Sequence, residues 1–215
     1  MQPDPWERWS PLSGTAYAVL FLVALGVSSG PGDTPAEVSR YFADAGNRDQ
    51  EILVFFLLVA ATLAFVWFVG MLRGVLVRAE PEPARWTAVG FAAGVTSAAC
   101  LLAASAVFVG PAFAARESEF SFDGNTWDVV SKIGSALLVC SVMAAALLVL
   151  ATSIVALRTR LLPRWTALAG FVVAAVMQFT IFVFPLFVWL GWVLAVSTIL
   201  VLRTARVTGW RRARS

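Results

Sequence analysis

The amino-acid sequence predicts an all-α polytopic membrane protein, a bundle of six transmembrane helices built as three pseudo-repeated hairpins with both termini in the cytoplasm. Three observations predict it. The chain of 215 residues is 60% hydrophobic and only 13% charged, against about 25% charged in a soluble domain. Six apolar stretches come close to the ~20 residues a helix needs to span about 30 Å of hydrocarbon. Finally, tryptophans open alternate stretches at nearly constant spacing.

The stretches are 12–29, 52–72, 87–110, 133–157, 166–184 and 186–202, and none contains Asp, Glu, Lys or Arg. Each such residue at mid-bilayer costs about 2.5–3.5 kcal/mol on insertion scales. A cleaved signal peptide is the competing reading of the first stretch, but Asp4 and Glu7 beside Arg8 give it the wrong leading charge. Residues 1–11 then form a cytoplasmic segment, 12–202 the membrane domain and 203–215 a basic cytoplasmic tail. The run 166–202 is punctuated by Pro185 and Gly191 and is too long for one crossing. It predicts a tight hairpin near Pro185, with Trp189 and Trp192 anchoring the tip at the outer interface.

Basic residues are sorted by side. Twelve of the 16, including Arg73, Arg78, Arg85, Arg158, Arg160 and Arg164, fall on the side of the termini; Arg40, Arg48, Arg116 and Lys132 fall opposite with nine of the 13 acids. The positive-inside rule therefore places the termini in the cytoplasm. The preference for arginine, with abundant alanine and valine, points to a bacterial source and hence to the cytoplasmic (inner) membrane.

Arg8-Trp9-Ser10, Arg85-Trp86-Thr87 and Arg164-Trp165-Thr166 open the odd spans, and Leu72-Arg73, Leu157-Arg158 and Leu202-Arg203 close the even ones. The repeating unit is a two-helix hairpin running in to out and back. Trp suits headgroup depth, Arg suits phosphates, and Ser or Thr suits a helix cap. Small residues at Gly70 and Gly74, at Gly90, Gly94 and Ala98, and at Gly170 and Ala174 predict close helix approach. In the first outer loop, Thr34-Pro35-Ala36-Glu37 is a capping box that begins a short helix, ending near Gly46, with Val38, Tyr41 and Phe42 on one face.

These features together resemble a family of uncharacterised small six-helix bacterial integral membrane proteins, a domain of unknown function. The resemblance runs from about Trp9 to Arg206 and implies the six-helix fold alone. It brings no substrate, cofactor or catalytic residue.

Composition narrows the chemistry. With no histidine, the usual general base and the commonest metal ligand are missing. The two cysteines, Cys100 and Cys140, sit in apolar runs and read as buried thiols rather than a zinc site or a disulfide. A net charge of +3 is too small to argue for nucleic acid. No cofactor, metal or catalytic residue is expected, and the chain is not read as an enzyme. The expected role is a non-catalytic membrane module that binds a protein partner or lipid, or self-associates; the alternative is a small transporter or channel with an uncharged pocket for a small molecule. For that pocket the candidates are Gln178, Thr180, Ser141 and Cys100, polar groups at mid-span depth. Asp44, Asp49, Asp123 and Asp128 form a candidate external acidic surface. Asp44, Asn47 and Asp49, echoed by Asp123, Asn125 and Asp128, offer oxygens for a cation site, or else Asn47 with Gln50 and Asn125 with Asp128 cap the starts of the second and fourth spans.

Overall fold

A computed structural model describes residues 12–32, 34–117, 124–161, 163–178 and 184–212, with backbone alone at 124–125, 184–185 and 203–212. Among the described residues the chain forms seven helices and no strand. They are α1 (Leu12–Val27), α2 (Pro35–Ala43), α3 (Ala45–Ala79), α4 (Arg85–Ala114), α5 (Gly124–Thr159), α6 (Arg164–Met177) and α7 (Phe184–Arg212). Three helices, α3, α4 and α5, are long and apolar enough to cross a membrane, whereas Leu12–Val27, Arg164–Met177 and Leu186–Leu202 are shorter apolar segments.

Each long helix packs on the next, and α7 returns to α1, so the packing order closes into a ring. One buried cluster draws on all six: Tyr17 and Phe21 from α1, Phe65 and Phe68 from α3, Leu101 from α4, Leu148 and Val149 from α5, Met177 from α6, and Trp189 and Val193 from α7. Large apolar side chains are also exposed on every long helix, among them Val19, Phe56, Trp67, Val95, Met143, Val172 and Phe187. An apolar surface that wraps the bundle is what a lipid solvent calls for, since lipid tails are as apolar as leucine.

Glycines explain where the ring is tight. A Cβ on Gly94 would lie 2.7 Å from Val69 Cγ1, and one on Gly170 would lie 2.0 Å from Ser153 Oγ. Close approach is thus realised by α4 against α3 and by α6 against α5. Gly70 and Gly74 depart from the expectation: nothing lies within 4 Å of a Cβ on either. They face outward from α3 because Phe68, Val69 and Leu72 hold the inward stripe.

Trp189 and Trp192 do not anchor a hairpin tip. Helix α7 starts at Phe184, so Trp189 already lies more than a turn inside it. It is 2% exposed, its indole N–H donates to Tyr17 Oη at 3.0 Å, and it stacks on Trp192 with centroids 5.6 Å apart. A buried indole takes the polar partner that an interfacial one would find in headgroups.

The Arg-Trp-Thr starts are helix starts, though Thr does not cap them. Arg85 and Arg164 are the first residues of α4 and α6, with Ala84 and Pro163 at the N-cap positions and no side-chain cap bond from either. The α4 start is instead capped by Glu80, whose carboxylate accepts from Trp86 N at 3.1 Å, Thr87 N at 2.9 Å and Thr87 Oγ1 at 2.6 Å. Arg158 lies over the Trp86 ring at 5.9 Å. Trp165, 66% exposed, is free to sit at a headgroup boundary. The first copy, Arg8-Trp9-Ser10, lies outside the described residues.

Candidate functional site

The site grows from the short helix α2. Thr34 Oγ1 accepts from Glu37 N at 3.3 Å and Glu37 Oε2 accepts from Thr34 N at 3.1 Å, which completes the capping box. The helix ends at Ala43 rather than near Gly46, because Asp44 begins the next one: its Oδ1 accepts from Asn47 N at 3.0 Å. Arg48 then donates to the carbonyls of Phe42 and Ala43, each at 2.8 Å, closing the exposed end of α2. Val38 and Phe42 are buried against Val109 and Ala112 of α4, with Ile52, Phe55 and Trp127 around them. Helix α2 is therefore docked over one end of the bundle, against α3, α4 and α5.

Tyr41 points to a different set of partners. Its hydroxyl donates to Glu51 Oε1 at 2.9 Å and lies 3.2 Å from Ser29 Oγ. Gln50 Nε2 bonds Ser29 Oγ at 3.2 Å and also the carbonyl of Val27. These bonds tie the end of α1, the α2 helix and the first turns of α3 together. Burial pushes the Glu51 carboxyl above its ordinary range, by more than the Tyr41 hydroxyl draws it down.

Beneath this network lies a partly open cavity of about 290 Å³. Its walls come from α1 (Phe21, Ala24), α3 (Val54, Leu58), α4 (Leu101, Ala104, Ser105, Phe108), α5 (Trp127, Leu138) and α7 (Leu186), with Ser28, Gly30 and Glu51 at its polar end. Leu58 is seven residues past Glu51, so at 1.5 Å per residue the cavity reaches about 10 Å along α3. Ser105 Oγ donates to Leu101 O at 2.8 Å, and Glu51 is the one ionisable group among the described lining residues.

The residues expected to line a pocket are not brought together there. Ser141 is buried between α4 and α5, donating to Ser97 O at 2.8 Å and lying 3.2 Å from Ser97 Oγ. That is a helix-to-helix clamp. Cys100 is half-buried and Cys140 exposed, and both are free thiols. Gln178 is exposed at the end of α6, where its N–H bonds Ala175 O at 3.1 Å. Thr180 lies outside the described residues.

The acidic surface is likewise divided among local tasks. Asp44 caps α3, Asp49 pairs with Arg116, and Asp128 pairs with Lys132 at 2.5 Å one helical turn away. The cap is thus Asp44 rather than Asn47, whose side chain donates to Tyr41 O at 3.2 Å. Asp123 lies outside the described residues. Among the described residues no three acidic or thiol side chains converge as a metal site would require. Sequence reasoning missed both Glu51 and Glu80: Glu51 borders an apolar run, where an acid reads as the end of a span, and Glu80 lies in the connection between two runs, where an acid reads as solvated.

Among the described residues, the fold and the site define a class: an all-helical protein with three helices long and apolar enough to cross a membrane, and an apolar cavity with one carboxylate at one end. No protein-family model, curated protein or solved structure matches the chain.

Proposed function

We propose that the chain is a six-crossing integral protein of the bacterial cytoplasmic membrane, akin to small six-helix membrane proteins, with both termini inside and α2 on the outer face. Its role is that of a non-catalytic module which holds a lipid or similar apolar molecule. The carrying observation is the cavity beneath α2, of about 290 Å³, near the lower end of the size range for small-molecule sites and lined as they are. The closed order of helix packing supports six crossings, because α1, α6 and α7 are then equal partners of the three long helices in one ring. The sorting of arginines supports the orientation. A transporter or channel needs a path through the ring, and Phe65, Phe68, Trp189 and Val193 are buried in that middle.

Native mass spectrometry of the protein released from lipid nanodiscs tests the module. A lipid or apolar adduct of defined stoichiometry is expected, and Leu58→Trp, which fills the cavity from α3, should remove it. Bare protein, or adducts indifferent to Leu58→Trp, would overturn the reading.

A further inference from the structure

The cavity carries an electrostatic imbalance that a purely apolar guest would leave in place. Glu51 is half-buried, and among the described residues no arginine or lysine pairs with it. The described cations of that face are engaged elsewhere or turned away: Arg48 on the Phe42 and Ala43 carbonyls, Arg116 on Asp49, Lys132 on Asp128, and Arg40 on the exposed side of α2. Tyr41 supplies one hydrogen bond to Oε1, and no described group donates to Oε2. A carboxylate withdrawn from water without a cation is costly. Yet this one stands where the apolar cavity meets the polar rim, the place a ligand's head group would occupy.

Resting on the lipid-module reading, we propose that the cavity selects a single-chain amphiphile with a protonated amine head, which pairs with Glu51 while its hydrocarbon lies among Leu58, Leu101, Phe108 and Leu138. The ammonium offers donors to Oε2 and to Ser28 at the rim. An anionic head would meet Glu51 as a like charge, and a neutral hydroxyl would leave the carboxylate without its counter-ion.

The test uses the full chain in phosphatidylcholine nanodiscs, with a brominated alkyl amine and the alcohol of equal length as probes at matched membrane concentrations. Bromine quenches nearby indoles, and Trp127 lines the cavity, so the signal is the saturable quenching that Trp127→Phe removes. The amine is expected to half-saturate at a concentration roughly tenfold lower than the alcohol, as one charge-assisted hydrogen bond provides. Glu51→Gln should bring the two together. Equal saturation by amine and alcohol in the unaltered protein would overturn the selectivity while leaving the lipid module standing. Absence of saturable quenching by either probe would overturn both. Because the ratio in the unaltered protein decides the matter, the proposal stays testable even if Glu51→Gln does not fold.

Discussion

Two carboxylates, Glu51 and Glu80, show how position rather than residue type sets the chemistry of this chain. At Glu80 burial alone would raise the carboxyl value. The Thr87 hydroxyl, the Thr87 and Trp86 amides and the Arg158 charge together outweigh it and hold the group below its ordinary range. A depressed folded value means a contribution present above the unfolded value of about 4.3 and lost as pH falls through the folded one. Glu80→Ala should therefore cost about 1 kcal/mol or less at neutral pH, in the range of a solvent-screened cap. The penalty should shrink in acid, as thermal unfolding in detergent across pH would report. Glu51 has the opposite sign: its folded value is raised, so its contribution is complete below the unfolded value and lost as pH rises through the folded one. Glu51→Gln should thus raise the thermal midpoint of the ligand-free protein at neutral pH and leave it unchanged in strong acid. A lowered midpoint at neutral pH would show that the carboxylate is stabilised there by something other than a guest.

Helix α3 shows what an apolar run does and does not encode. The run 52–72 marks what hydrocarbon can hold, while the helix extends over Ala45–Ala79 because polar residues with adequate helix propensity continue it past both ends. The capping box at Thr34 was readable because its partners lie three residues apart. The Glu80 cap spans six and seven residues across a turn, a tertiary pairing that no local spacing announces. Trp189 was misread for a related reason: hydropathy places a residue along the bilayer normal, but not inside or outside the ring, and that is decided by Tyr17 on a helix 172 residues away. The glycines divide on the same question. Gly94→Ala forces its Cβ against Val69 Cγ1 at 2.7 Å and should destabilise by about 1–3 kcal/mol, as overpacking does. Gly70→Ala meets nothing within 4 Å and should be neutral or stabilising by up to about 1 kcal/mol, through helix propensity alone. Unfolding of the two variants in one detergent compares them directly. Equal effects would mean that α3 and α4 do not meet at Val69.

At the scale of the whole molecule, the ring and the bilayer make demands that α6 reconciles least easily. Helix α6 has 14 residues, about 21 Å at 1.5 Å per residue, short of the roughly 30 Å hydrocarbon thickness. The ring nevertheless needs it as a full neighbour of α5 and α7, with Met177 in the common core. A short crossing is accommodated by local thinning of the bilayer and by anchors at its ends, and exposed Trp165 with Arg164 supplies them at the first turn. If α6 crosses, Gln178 at its far end must lie on the outer side and Arg160, before its start, on the inner side. In a background with Cys100 and Cys140 changed to Ala, Arg160→Cys should react with a membrane-impermeant maleimide only in inside-out vesicles. Gln178→Cys should react only in right-side-out ones. Labelling of both positions from the same side would mean that α6 does not cross, and the six-crossing reading would fall. The pair of labels thus tests the crossing of α6 apart from the site, whose described walls come from α1, α3, α4, α5 and α7.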